Sequence, residues 1–285
     1  MAHAILAYGN LVDAASLYGG SWLTALPLNN LKDRRLGRLA RSASTSLADT
    51  WFDADFGGTR RFRVVAVVNH NLSITARYRI SLSLAPDFTS TVATSGWRSV
   101  WPSVYPFGTL PWGAPNWWTG QYPADQIEAY TGTLVFILTS PANARYIRVE
   151  LDDTANANGF VEAGRVFAAD GWQPVRNMVY GASLAWESRT EVQEALSGAE
   201  YFNVRTPVRV ARFALDALGE DEAMANAFEI QRAMGVDDEL LFVWDPDDTT
   251  HALRRQFLCR MRTLSPIENP GPDRWKAPFE VKELL

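Results

Sequence analysis

Cysteine and histidine are scarce in this chain, and the scarcity removes whole classes of function. Cys259 is the single cysteine, so neither an internal disulfide nor a thiolate-rich metal site can form. Set in the run Phe257-Leu258-Cys259, it reads as a small buried hydrophobe rather than a reactive thiol. His3, His70 and His251 stand far apart, without the spacing of an H-E-x-x-H zinc motif. No P-loop and no G-x-G-x-x-G occurs, so nothing points to a nucleotide. The G-x-S-x-G elbow is also missing, although a Ser-His-Asp triad assembled by the fold stays open. Basic excess is lacking too: a formal net charge of −5 speaks against a dedicated nucleic-acid binder. No apolar run approaches the roughly 20 residues that span a bilayer. The opening MAHAILAYGN has no basic segment and only a short apolar one, so no Sec signal is expected and folding in a reducing cytoplasm is.

The remaining composition, 47% hydrophobic and 21% charged, is that of an ordinary globular protein. At 285 residues the chain exceeds most single cores, so two domains are expected. Residues 5–172 read as strands and loops with little helical periodicity. The β-branched run 62–68 predicts a strand buried on both faces. Tyr78, Ile80, Leu82 and Leu84 alternate with Arg79, Ser81 and Ser83, a half-buried strand, and 134–138 is another apolar run. In 145–151, Tyr146, Arg148 and Glu150 alternate with Ile147, Val149 and Leu151, again a strand with one wet face. The Asp, Asn, Thr and Gly of 152–159 predict a turn. Phe160, Val161, Val166 and Phe167 resume a strand in which Gly164 marks a bulge or close approach. Short strands punctuated by polar turns point to a sandwich or jelly roll.

Residues 96–122 break this pattern. They hold five of the 11 tryptophans, Trp97, Trp101, Trp112, Trp117 and Trp118, interleaved with Pro102, Pro106, Pro111 and Pro115. Prolines so placed exclude a helix or central strand, so a long ordered loop is expected. Trp101, Trp112, Trp117 and Trp118 are the candidate ligand or interface residues, since indole faces stack on sugar rings and indole N–H groups suit wet interfaces. The plainer alternative is that they only pack the loop onto its own sandwich or a neighbouring domain.

Past Trp172-Gln173-Pro174 the pattern changes. Strands are expected over 177–186, 208–215, 239–244, 255–263 and 275–282, and polar 187–205 suggests two extended arms around Ser197-Gly198. A helix is predicted over 220–234: Glu220, Asp221 and Glu222 suit its first turn, Gly235 its end, and Met224, Ala227, Phe228 and Met234 form a stripe. The acid clusters Asp152-Asp153 and Asp245-Asp247-Asp248 read as turn formers rather than as a glycosidase pair.

Several pieces, in order, resemble a known family. These are LPLNNLKD (26–33), WFDADFG (51–57), the strand and turn of 65–72 ending Asn69-His70-Asn71-Leu72, and RYIRVELDD with NGFVEAGRVF (145–167). Together they resemble a discoidin-like, galactose-binding-like β-sandwich, in the form found in tail proteins of tailed bacteriophages. The last 110 or so residues, with GASLAWE (181–187), resemble by pattern the split β-barrel of phage tail-tube and distal-tail proteins. The resemblance implies a mainly β chain: a discoidin-like jelly roll over 1–172, then a tail-tube-like barrel with one helix over 173–285. It implies a structural, non-enzymatic component of a phage tail tip or baseplate in the virion, made in the bacterial host. Its partners would be itself in a hexameric or trimeric ring, the tail tube and hub, and a host glycan. No cofactor is expected, apart from a structural Ca²⁺ that such sandwiches often carry, for which Asp33 is the candidate. A free carbohydrate-binding module or adhesin is the alternative, and a polysaccharide-degrading enzyme a further one.

Overall fold

The computed structural model describes residues 3–285; Met1 and Ala2, the start of the N-terminal segment read above, lie outside the described residues. The first part of the chain contributes β1 (Ile5–Tyr8), β2 (Ser16–Tyr18), β3 (Ala40–Arg41), β4 (Trp51–His70), β5 (Arg77–Ser83), β6 (Thr91–Thr94), β7 (Arg98–Ser99), β8 (Thr133–Asp152) and β9 (Glu162–Ala169). Two of these, β4 and β8, are 20 residues long and pair with each other along most of their length. Trp51 to Asp55 face Glu150 to Tyr146, and Val64 to Val68 face Ile137 to Thr133. Between the two stretches the register shifts twice, with Gly57 at a φ of 68° in β4 and Pro141 in β8. Extra residues at such bulges bend a ribbon, so one pair of strands serves both layers of a sandwich. One layer runs β2–β4–β8–β5, with β6 and β7 beyond β5; the other runs β3–β9–β4–β8.

The inner faces meet in a single core. Phe52, Ala54, Ile147, Val149, Ile80 and Leu82 come from the first layer, and Val65, Val67, Leu134, Phe136, Val166 and Ala168 from the second. Burying each Val, Leu, Ile or Phe contributes roughly 1.5–3 kcal/mol. The whole run Val64 to Val68 is buried, as its unbroken apolar sequence requires. Gly164 is a close approach: a Cβ there would lie 2.6 Å from the Leu36 carbonyl oxygen. The polar run after β8 is a turn held by side chains. Asp153 accepts from the Ser73 backbone N–H at 2.8 Å, and Asn156 donates to Asp153 at 2.8 Å and to the Asn71 carbonyl at 3.0 Å. Asn71 in turn accepts from the Glu162 N–H at 2.7 Å, joining the turn to β9.

The second part of the chain supplies β10 (Ser183–Glu187), β11 (Glu191–Glu194), β12 (Glu200–Asn203), β13 (Val208–Leu218), β14 (Leu240–Val243), β15 (Gln256–Thr263), β16 (Glu268–Gly271) and β17 (Arg274–Glu283). The chain divides into two compact units, Met1–Trp172 with Leu241–Phe257, and Gln173–Leu240 with Leu258–Leu285. Residues 241–257, which sequence continuity placed in a second domain, therefore group with the first. The physical reason is that β14 lies beside β1 in one sheet, where the short apolar runs Ile5-Leu6-Ala7 and Leu241-Phe242-Val243 are both buried.

In the second unit β10, β13, β17 and β15 lie side by side in antiparallel pairs, with Phe213 stacked on Phe279 at 5.5 Å. A buried ion pair ties its ends: Arg209 donates from Nε to Glu283 at 2.9 Å. The strand expected over 177–186 is confined to its end, because Gly181 adopts a φ of 100° in a turn before β10. The helix spans 220–234 as predicted, α-helical at Glu220–Glu222 and Glu229–Met234 but π-helical over Ala223–Phe228. Its buried face is Ala223, Ala227, Ile230 and Met234, whereas Phe228 is exposed. These positions follow the i, i+4, i+7, i+11 spacing of one helix face, so the buried stripe includes Ala223 and Ile230 where Met224 and Phe228 were expected. The hairpin β11–β12 is a two-stranded sheet of its own, exposed throughout, turning at 195–199.

Candidate functional site

Apart from β7, residues 96–122 are turns and irregular loop, and their base is anchored in the first unit. Trp101 donates its indole N–H to the Leu72 carbonyl at 3.1 Å and packs against His70, ring centroids 5.7 Å apart. The Gln121 amide donates to the carbonyls of Ile74 and Trp101, and the N–H groups of Val104 and Tyr105 both reach the Gly120 carbonyl. Tyr122 donates to the Thr250 carbonyl and accepts from Arg254 at 3.0 Å. A loop with this many internal bonds holds its shape without regular structure.

From that base the tip carries an aromatic cluster. Trp112 meets Trp117 edge-on at 5.2 Å and Trp118 at 6.5 Å, while Phe107 lies 5.8 Å from Trp117. Phe107, Trp112 and Trp118 are 83%, 80% and 81% exposed. Trp117 fills the middle; its Nε1 is screened from water and has no hydrogen-bond partner. The four candidate tryptophans thus separate. Trp112, Trp117 and Trp118 come together at the tip, but Trp101 is 6% exposed with its N–H already engaged, an anchor rather than a contact residue. Composition alone could not tell them apart, because burial depends on the distant partners Leu72 and His70.

A second feature had no single-motif signal. On the outer face of the first layer, acids and arginines pair across strands: Arg77 with Asp152, Arg79 with Glu150, Arg148 with Asp53 and Arg145 with Asp55. Arg148 grips Asp53 through Nε and a terminal nitrogen, both at 2.7 Å, and its guanidinium lies between the rings of Trp51 and Phe88. Its own pKa is raised, first by that hydrogen bond. The Asp55 carboxyl is held below its usual range by its hydrogen bond to Arg145. Tyr18 is raised, mainly by burial and then by Asp53. The signal lay in two pieces, Asp53 and Asp55 in one and Arg145 to Glu150 in the other, which the register of β4 and β8 brings opposite each other. Each charge here has a partner, so this face is a rigid wall.

Asp245 and Asp248 are likewise engaged. Asp245 accepts from the Asp247 N–H at 3.0 Å, and Asp248 pairs with Arg255 at 2.7 Å. Asp33, the calcium candidate, is bound by Arg35 through two nitrogens at 3.0 and 2.7 Å and by Arg38 at 3.3 Å, and the Arg35 hydrogen bond holds its carboxyl well below the usual range. A carboxylate already neutralised by two guanidinium groups does not fit a Ca²⁺ ligand. Among the described residues no three His, Cys, Asp or Glu side chains gather to hold a metal. No helix among them is long and apolar enough to cross a membrane.

No protein-family model matches the chain, and no curated protein does. Solved structures similar to it include a family 89 glycoside hydrolase from Clostridium perfringens, with 11% identity and a TM-score of 0.38 over 64% of this chain. The matched part is 17% of that enzyme. A Streptococcus pneumoniae fucose-binding module matches with 14% identity and a TM-score of 0.37, over 57% of this chain and 95% of the module. The family 32 carbohydrate-binding module of C. perfringens NanJ, in complex with galactose, matches with 12% identity and a TM-score of 0.36, over 57% of this chain and 98% of the module. Likenesses of this size leave the architecture resting on the strand pairings above: a mainly β chain whose first unit is a two-layer sandwich.

Proposed function

We propose that this chain is a non-catalytic binding protein whose first unit holds a glycan ring against the indole cluster of the 96–122 loop. The observation behind this reading is the exposure of Phe107, Trp112 and Trp118 around Trp117 on a loop anchored at both ends. A solvated apolar cluster on a fixed base is costly unless something covers it. The C–H face of a pyranose matches an indole face, and a sugar hydroxyl accepts from an indole N–H such as that of Trp117 once the rings around it shift. Full-length protein is expected to bind at least one polysaccharide on an array of bacterial surface glycans without cleaving it. The double variant Trp112→Ala, Trp118→Ala should lose that binding while its melting temperature stays within about 2 °C of the parent. Undiminished binding by the double variant would refute the reading.

A second, compatible reading is the phage tail-tip component that the sequence resemblance implies. It is favoured by the hairpin β11–β12, which exposes Val192, Leu196, Tyr201 and Phe202 in the second unit. Apolar side chains on a free hairpin suit assembly with other copies of the chain or with the tail tube and hub. Immunogold electron microscopy of purified virions should label the tail tip. Unlabelled tails in particles whose other tail proteins are labelled would end this reading.

A further inference from the structure

A cleft of about 580 Å³ opens in the first unit where the beginning of β8 has β4 as its strand partner on one side and β6 is the outer strand of its layer. Its walls are of two kinds. Leu84, Val92, Phe136 and Leu138 give an apolar surface; Thr94, Thr139, Ser140 and Asn143 give hydroxyl and amide groups. Arg98 is the one charged residue lining it, and neither Asp nor Glu does, in a chain of net charge −5. The Arg98 guanidinium is held in place by uncharged groups. Nε donates to the Ser95 carbonyl at 3.0 Å, the Tyr78 phenol lies close by, and the guanidinium sits 5.5 Å over the Phe136 ring. Among the described residues no carboxylate pairs with it, whereas Arg77, Arg79, Arg145 and Arg148 on the same sandwich each have one.

We infer that this cleft is a second ligand site, separate from the indole cluster, and that it takes a uronic acid residue of an acidic polysaccharide. Three properties of the lining select that class. A guanidinium fixed without a counter-ion calls for an anion, and its planar fork matches a carboxylate. The apolar wall calls for a ring face rather than a free inorganic ion. The hydroxyl and amide groups suit a ligand rich in hydroxyls, and the volume lies within the ~300–1,000 Å³ of small-molecule clefts. The site stands whether or not the indole cluster binds sugar.

The test is calorimetric titration of the full chain with digalacturonate and, separately, neutral digalactose. Digalacturonate should bind, and more weakly at high salt because its charge is read; digalactose should bind at least about tenfold more weakly. Arg98→Gln should weaken digalacturonate about tenfold or more. Should that variant lose its fold, Asn143→Asp, an exposed change in the cleft lining, should weaken the same binding by charge repulsion. The Trp112→Ala, Trp118→Ala variant should bind digalacturonate as the parent does, so failure of one site does not imply failure of the other. Absence of digalacturonate binding, equal affinity for the neutral disaccharide, or indifference to both Arg98→Gln and Asn143→Asp would overturn the inference.

Discussion

Trp101 and Trp118 stand 17 positions apart in one loop, yet their surroundings assign them opposite duties. Trp101→Ala would leave a void beside His70 and an unmet Leu72 carbonyl, and should cost about 3–5 kcal/mol in chemical unfolding. Trp118→Ala should stay within about 0.5 kcal/mol by the same measurement. His70 itself carries a pH dependence. Burial pushes its pKa from 6.5 down to about 4, and Nδ1 accepts from the Leu72 N–H at 3.4 Å. Between those values the unfolded chain binds a proton that the folded chain does not, so stability falls with falling pH. The contribution is fully present above about pH 6.5 and lost below about pH 4, on the order of 3 kcal/mol in all. Melting temperatures of the parent and of His70→Phe should differ in slope across that window, the parent losing more stability on acidification. Little of this was legible in advance. The sequence shows an indole or an imidazole, but its water access depends on residues tens of positions away.

At the scale of elements, local pattern was a better guide. The period-two alternation of 145–151 and the acidic first turn and terminal Gly235 of the 220–234 helix stand in the structure where the sequence put them. These signals are local because a strand or helix face is set by near neighbours. Packing constraints are not. Gly164 could be read as a bulge or a close approach, and the structure decides for the latter, with Leu36 behind it. Gly164→Ala should therefore cost about 1–3 kcal/mol in thermal unfolding, as overpacking does, rather than gain the few tenths that an open site would give. Which face of the 220–234 helix is buried is likewise a packing outcome: Ala223 and Ile230 are covered where Met224 and Phe228 were expected.

For the whole molecule, the two units suggest separate tasks that can be separated by mutation. Replacing 191–203 by a short Gly-Ser turn removes the exposed hairpin β11–β12 but none of the sandwich core. That variant should keep glycan and digalacturonate binding and the parent's melting behaviour, while losing any concentration-dependent assembly seen by light scattering of the parent. Assembly that persists unchanged would move the interface away from the hairpin. Destabilisation of the sandwich would show that the units do not act apart.

The sequence by itself determined the mainly β character, the change of pattern after Trp172, the helix, and the proline-broken aromatic loop. Each of these follows from spacing within a few residues. Only the tertiary structure decided that β4 and β8 run through both layers, and that Asp53 meets Arg148. It likewise decided that residues 241–257 join the first unit, that Trp101 is buried while Trp112 and Trp118 are not, and that Arg98 faces a cleft without an acid. The physical reason is common to all of them. Register, burial and charge pairing are properties of contacts between distant segments, and a chain read in order carries no record of which distant segment each residue will meet.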